Sequence, residues 1–209
     1  MSTTNKKNLN GLYVLTSADL ISETALLTSV EQTLQGGARI IQYRDKSNHV
    51  DKRLQQATAL KKLCSHYQAL LIINDDVELA QRSNADGVHL GKADASLADA
   101  RARLANKIIG VSCYNQFELA LTAAAGGADY IAFGSFFSSA TKPEAAHADT
   151  ALLTQAKKEL QLPVCAVGGI TADNAANLIQ AGADMVAVIT DIWTAADISA
   201  RSQQYAALF

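Results

Sequence analysis

A chain of 209 residues, 49% hydrophobic and 18% charged, can bury a full apolar core without disulfides or a structural metal, and one domain is the default at this length. A formal net charge of −2 with no long Lys/Arg block leaves no electrostatic footprint for nucleic acid or an anionic membrane, so phosphate recognition must be local and the partner a small molecule. Residues 1–10 are polar, lack the apolar segment of a secretory signal, and are read as a loose arm ahead of a single domain over 11–209, while no apolar stretch approaches a membrane span.

In chain order, Leu12–Leu15 reads as the first strand. The TSADLIS that follows carries no glycine-rich dinucleotide fingerprint, and a helix is predicted over Ser22–Gln35. The second strand, Ile40–Tyr43, runs into QYRDK. Strand alternation sends Gln42, Arg44 and Lys46 to one side and Tyr43 and Asp45 to the other, and two cations with an amide suit a phosphate or diphosphate. A charged, solvated strand terminus is the plain alternative.

A helix over Asp51–His66 leads to the strand Leu70–Ile73 and then to Asn74, Asp75 and Asp76; a short helix covers Val77–Ser83. The fourth strand, Gly87–Leu90, contains His89, read as a partly buried, hydrogen-bonded histidine because His49, His66 and His147 have no metal-ligand spacing to it. Asp94 follows this strand across a tight turn. Asp75 and Asp94 thus reach the same end of neighbouring strands, and two hard carboxylates with room for phosphate and water suit Mg²⁺. Asp76 is the better cap for the following helix.

Further on, a helix over Leu97–Leu104 precedes the strand Ile108–Val111. Ser112 after it lacks a Gly-x-Ser-x-Gly elbow, which excludes a hydrolase triad of that type. Next come the helix Gln116–Ala125 and the strand Tyr130–Phe133. The stretch 134–149, rich in Ser, Thr and Ala and including Ser139, Ala140, Thr141 and Lys142, reads as a loop able to close over an anion. The helix Thr150–Leu160, the strand Val164–Val167, the helix Asn174–Ala181, the strand Met185–Ile189 and the helix Asp197–Ala207 complete the chain. Gly168 and Gly169 after the seventh strand, with Ile189 and Thr190 after the eighth, stand where barrels commonly cup a phosphate.

A short echo recurs as GGARIIQY, SNADGVHL, GGADYIAF and AGADMVAV, joining a small-residue turn to an apolar strand. Eight continuous apolar runs alternating with helices indicate a parallel sheet covered on both sides, and the fold predicted is a single-domain (β/α)8 TIM barrel. Its chemistry should then lie at the C-terminal ends of the strands. Cys64, Cys113 and Cys165, odd in number and widely spaced, read as reduced core thiols of a cytoplasmic protein.

Taken in register, QYRDK, INDD, GVHLGKAD, GVSC, YIAFGSFF with its following TK, PVCAVGGIT and GADMVAVIT resemble the thiamine phosphate synthase family from about Leu12 to Ile192. The resemblance implies a Mg²⁺-dependent transferase that joins hydroxymethylpyrimidine diphosphate to hydroxyethylthiazole phosphate and releases pyrophosphate through a pyrimidine carbocation. It assigns Gln42, Arg44, Lys46 and Asn74 to the pyrimidine diphosphate, with Tyr43 and Asp45 in the same substrate-binding segment. Asp75 and Asp94 become Mg²⁺ ligands. Ser112 and Lys142 contact the diphosphate, and Ser139, Ala140, Thr141, Gly169, Ile189 and Thr190 meet the thiazole phosphate. Arg44, Lys46, Ser112 and Lys142 form its catalytic set.

Departures from the family pattern fall at Ser138–Ser139, where Pro-Thr is usual, at Lys92 in place of Gln, and at Tyr114 in place of His. The first bears on thiazole phosphate affinity. Rival readings are a thiazole tautomerase-like enzyme, disfavoured by Arg44, Asn74, Asp75 and Asp94, a regulatory relative that binds thiazole or thiamine phosphate without turnover, and a Schiff-base aldolase. A homodimer is a fold-level expectation only.

Overall fold

The computed structural model describes residues 9–138 and 148–209. Eight parallel strands close on themselves in sequence order: β1 Gly11–Leu15, β2 Ile40–Tyr43, β3 Leu70–Asn74, β4 Gly87–Leu90, β5 Ile108–Tyr114, β6 Tyr130–Phe133, β7 Val164–Val167 and β8 Met185–Val188. The ring shuts where β8 pairs with β1, Met185 opposite Gly11 and Val188 opposite Val14. The helices between them are α1 Leu26–Gln35, α2 Val50–His66, α3 Val77–Arg82, α4 Leu97–Arg103, α5 Phe117–Ala125, α6 Ala151–Glu159 and α7 Ala172–Gln180, followed by α8 Thr190–Trp193 and α9 Ile198–Ala206.

Alternation along each strand divides the core in two. Tyr13, Ile40, Ile72, Ile108, Tyr130, Cys165 and Met185 fill the barrel interior, whereas Leu12, Val14, Ile41, Leu71, Ile73, Val88, Ile109 and Val186 pack outward under the helices. Both faces of the sheet are therefore dry, which explains the unbroken apolar runs. Leu9, placed by the sequence reading in the N-terminal arm, is buried with the interior set. The three cysteines are buried free thiols, and among the described residues no helix is long and apolar enough to cross a membrane.

The recurring Ala-Asp turn has a structural basis. Just before β4, Asp86 accepts from the Leu71 amide at 2.8 Å and pairs with Lys61 at 2.7 Å. Asp129 before β6 does the same with the Ile109 amide at 2.8 Å and Arg101 at 2.6 Å. Asp184 before β8 repeats it with the Val164 amide at 2.9 Å and Lys157 at 2.5 Å. Each carboxylate binds the start of the preceding strand and draws in a cation from the helix leading to it. Arg39 occupies the equivalent place before β2, where an Asp is missing from the repeat.

The element boundaries agree with the sequence reading to within about two residues. The exceptions have local causes. A 3-10 turn over Glu23–Ala25, capped by Ser22, precedes α1. Strand β5 runs three residues further than predicted, through a bulge between Ser112 and Tyr114. The short α8 was not anticipated; its Trp193 Nε1 donates to the Leu15 carbonyl at 2.7 Å and fixes it to the end of β1.

Candidate active site

Inward positions at the C-terminal strand ends open into a cavity of about 360 Å³ lined by Gln42, Arg44, Asn74, His89 and Ser112 on one side and by Gly134, Gly168 and Ile189 on the other. The same period-2 alternation that fills the barrel with Ile40, Ile72 and Ile108 one layer below turns these polar side chains inward above it. Arg44 is steadied through its backbone, because Thr16 Oγ1 accepts from its amide at 2.8 Å. Thr16 and Asp19 also border the cavity.

Beneath the opening, a row of hydrogen bonds crosses the barrel. Gln42 Nε2 donates to Tyr13 Oη at 2.6 Å, the Tyr13 and Tyr130 hydroxyls lie 2.9 Å apart, Tyr130 Oη is 2.9 Å from His89 Nδ1, and His89 Nε2 is 2.8 Å from Ser112 Oγ. Gly110 on β5 makes room for this row, since a Cβ there would sit 2.0 Å from the Tyr130 ring. Burial pushes the His89 pKa down to about 4, against a smaller upward pull from Asp75, so the ring is neutral near pH 7.

Asp75 and Asp94 meet at the rim, hydrogen-bonded to one another. The chain reaches this geometry through a left-handed Asp75, at φ 64°, whose amide donates to the His89 carbonyl at 2.8 Å. Asp94 Oδ2 accepts from the Gly91 amide at 2.7 Å. Burial raises Asp75, but the Lys46 ammonium bonded to its Oδ2 and the bond to Asp94 outweigh it, and its pKa is lowered. Burial and the neighbouring Asp75 raise Asp94. A cation already sits on this carboxylate pair, in the form of Lys46. Two hard oxygen donors from adjacent strand ends fit Mg²⁺, with substrate oxygens and water needed to complete the shell, because no third His, Cys, Asp or Glu joins them among the described residues.

Asp76 caps α3 by accepting from the Leu79 amide at 2.8 Å and pairs with Arg53 at 2.9 Å, as its position suggested. Tyr43 and Asp45 point away from the cavity. Tyr43 Oη donates to Gln56 Oε1 at 2.7 Å and Asp45 pairs with Lys52 at 2.8 Å, on the outer side of β2. Gly169, at φ 62°, stands after β7, and Thr190 opens α8. Ser139, Ala140, Thr141 and Lys142 lie outside the described residues. Sequence reasoning missed Thr16, Asp19, Tyr13 and Tyr130 as site components; their signal was position alone, on β1 and its terminus and on the inward face of β6.

Fold and rim together define a (β/α)8-barrel enzyme with a cationic, carboxylate-flanked mouth suited to a phosphorylated small molecule. The family model described as thiamine monophosphate synthase matches residues 12–192. The chain is 54% identical over 202 residues to the thiamine-phosphate synthase of Methylobacillus flagellatus, covering 96% of each. With that of Thioalkalivibrio sulfidiphilus it shares 49% over 204 residues, covering 97% of each. Among solved structures, the thiamine phosphate pyrophosphorylase from Pyrococcus furiosus superposes with a TM-score of 0.89 at 34% identity, covering 97% of this chain and 96% of that one. A 3-hexulose-6-phosphate synthase, at 20% identity and a TM-score of 0.75, covering 95% of this chain and 99% of that one, shares the fold alone. The chain belongs to the thiamine monophosphate synthase family.

Proposed function

We infer that the barrel mouth joins hydroxymethylpyrimidine diphosphate to hydroxyethylthiazole phosphate, giving thiamine phosphate and pyrophosphate. The activity is that of a thiamine-phosphate synthase, and the protein is an enzyme of the transferase class. One observation carries the assignment of the site: Arg44 and Asn74 line a cavity whose floor offers only neutral hydrogen-bonding groups, and the hydrogen-bonded Lys46–Asp75–Asp94 group follows them at the ends of β2, β3 and β4.

A diphosphate departs only as fast as its growing negative charge is stabilised, and preorganised cations in a site shielded from water do this with little reorganisation. Arg44 supplies a guanidinium from the cavity wall. Lys46, which rests on Asp75 two residues beyond Arg44, would be the second cation for the diphosphate. Asp75 and Asp94 would hold Mg²⁺, which when bound neutralises phosphate charge as a Lewis acid. Lys142 adds a third cation in the reading that the family resemblance supports.

Departure of pyrophosphate leaves the pyrimidine methylene carbon electron-poor, and the thiazole nitrogen closes the new C–N bond. No protein nucleophile is needed. The neutral row of Tyr13, Tyr130, His89 and Ser112 agrees with that, since neither phenol is acidic and the imidazole is not charged. Ser139, Ala140, Thr141, Gly169, Ile189 and Thr190 form the proposed thiazole phosphate side. The test is product formation from the two substrates, followed by mass spectrometry with each omitted in turn. Thiamine phosphate should form only when both are present; binding of thiazole phosphate without product would favour the tautomerase-like or regulatory reading.

A further inference from the structure

The roles assigned above do not use Tyr13, Tyr130 or His89, although their side chains form an unbroken row from Gln42 to Ser112. Each link needs one proton, and there are few ways to distribute them. The Gln42 amide presents Nε2, which only donates, to Tyr13. Tyr13 accepts there and has its own proton left for Tyr130. Tyr130 then gives its proton to His89 Nδ1, so the ring proton must lie on Nε2 and is donated to Ser112 Oγ. The Ser112 proton is the one that the row does not consume, and Ser112 lines the cavity.

Running the row backwards strands a proton. If Nδ1–H donated to Tyr130 and Tyr130 to Tyr13, the Tyr13 hydroxyl proton would face the Gln42 amide nitrogen with no acceptor in the row. Tyr13 is 1% exposed and Gln42 3%, and a buried donor without an acceptor is costly. An imidazolium meets the same obstacle, because its Nδ1–H occupies the Tyr130 oxygen and leaves the proton of either Tyr13 or Tyr130 without an acceptor in the row.

We propose that Tyr130 holds His89 as the Nε2–H tautomer and that this fixes Ser112 as a hydrogen-bond donor to an anionic oxygen in the cavity. The inference rests on the reading that the cavity takes a diphosphate. Tyr130 and His89 are positioning residues in this scheme, acting through Ser112. With the His89 Nε2–H donated to Ser112 Oγ, the Ser112 hydroxyl proton is left for an acceptor in the cavity, so the neutral tautomer, rather than a charge, presents a donor to an anionic oxygen.

The tautomer is read directly by ¹⁵N NMR of protein labelled at histidine, with His89→Asn identifying the His89 signals. A pyridine-type Nδ1 and a pyrrole-type Nε2 are expected in the wild type near neutral pH. A pyrrole-type Nδ1, or both nitrogens protonated, would overturn the proposal, and this measurement needs no variant beyond the one used for assignment. A double-mutant cycle supplies the functional readout. Tyr130→Phe should lower kcat roughly tenfold in the wild-type background but by no more than about twofold on Ser112→Ala, because the two act in series. Independent, multiplicative losses would contradict the scheme. The NMR signature does not depend on turnover, so failure to make thiamine phosphate would sink the functional reading while leaving this one to its own test.

Discussion

Asp129 gives the sharpest test of how the repeated strand-start carboxylates hold the barrel. Its side chain is 1% exposed and that of its partner Arg101 28%, placing the pair between surface pairs worth up to about 1 kcal/mol and buried pairs whose rupture costs about 3–5 kcal/mol. Asp129→Asn keeps the shape and an oxygen for the Ile109 amide, and Arg101 retains the Lys107 and Gly127 carbonyls at 2.7 and 3.0 Å. The expected cost is therefore about 2 kcal/mol, a fall in Tm of roughly 4–8 °C for a domain of this size. Asp129→Ala also leaves the buried Ile109 amide without its acceptor and should cost about 1–3 kcal/mol more. The internal control is Asp184→Asn, whose partner Lys157 is 56% exposed and whose loss should stay under about 1 kcal/mol. Thermal unfolding followed by circular dichroism measures all three. Equal shifts for Asp129→Asn and Asp184→Asn would refute the argument that burial sets the ranking.

Gly110→Ala should displace the Tyr130 ring, which its Cβ would meet at 2.0 Å; core overpacking typically costs about 1–3 kcal/mol, and kcat should fall with the broken row, which steady-state kinetics and thermal unfolding check together. Asp45 carries a pH signature. Burial raises its carboxyl, but hydrogen bonds from Lys52 and Ser47 outweigh this and lower it from 3.8 to about 2. A depressed folded-state pKa gives stability that is present above the unfolded value and lost as pH falls through the folded one, so acid titration of wild type should show a loss between about pH 4 and pH 2 that Asp45→Asn lacks. Arg44→Lys should weaken catalysis despite conserving charge, because an ammonium cannot reproduce a bidentate phosphate contact; kcat/KM within about twofold of wild type would count against a bidentate role.

The sequence showed the barrel well because each strand is short, apolar on both faces and preceded by the same turn, so periodicity and repetition pointed to one architecture. The rim was legible for the same reason: alternation alone separates Gln42 and Arg44, which line the cavity, from Tyr43 and Asp45, which face Gln56 and Lys52 outside it. What was hidden depends on contacts between strands far apart in the chain. Tyr13 and Tyr130 are separated by 117 positions, and nothing local marks either as polar machinery rather than core. The short α8 escaped because four residues carry too little periodicity, and its anchor, Trp193 to Leu15, is a tertiary contact.

The most direct measurement is pyrophosphate release from the pyrimidine diphosphate and thiazole phosphate as Mg²⁺ is titrated, for wild type and for Asp75→Asn. Release that needs both substrates and saturates with Mg²⁺ is expected in the wild type, with a large loss in the variant, where Lys46 faces an amide oxygen in place of its carboxylate partner. Release that is indifferent to Mg²⁺ and unchanged in Asp75→Asn would contradict the assignment of Asp75 and Asp94 to the metal.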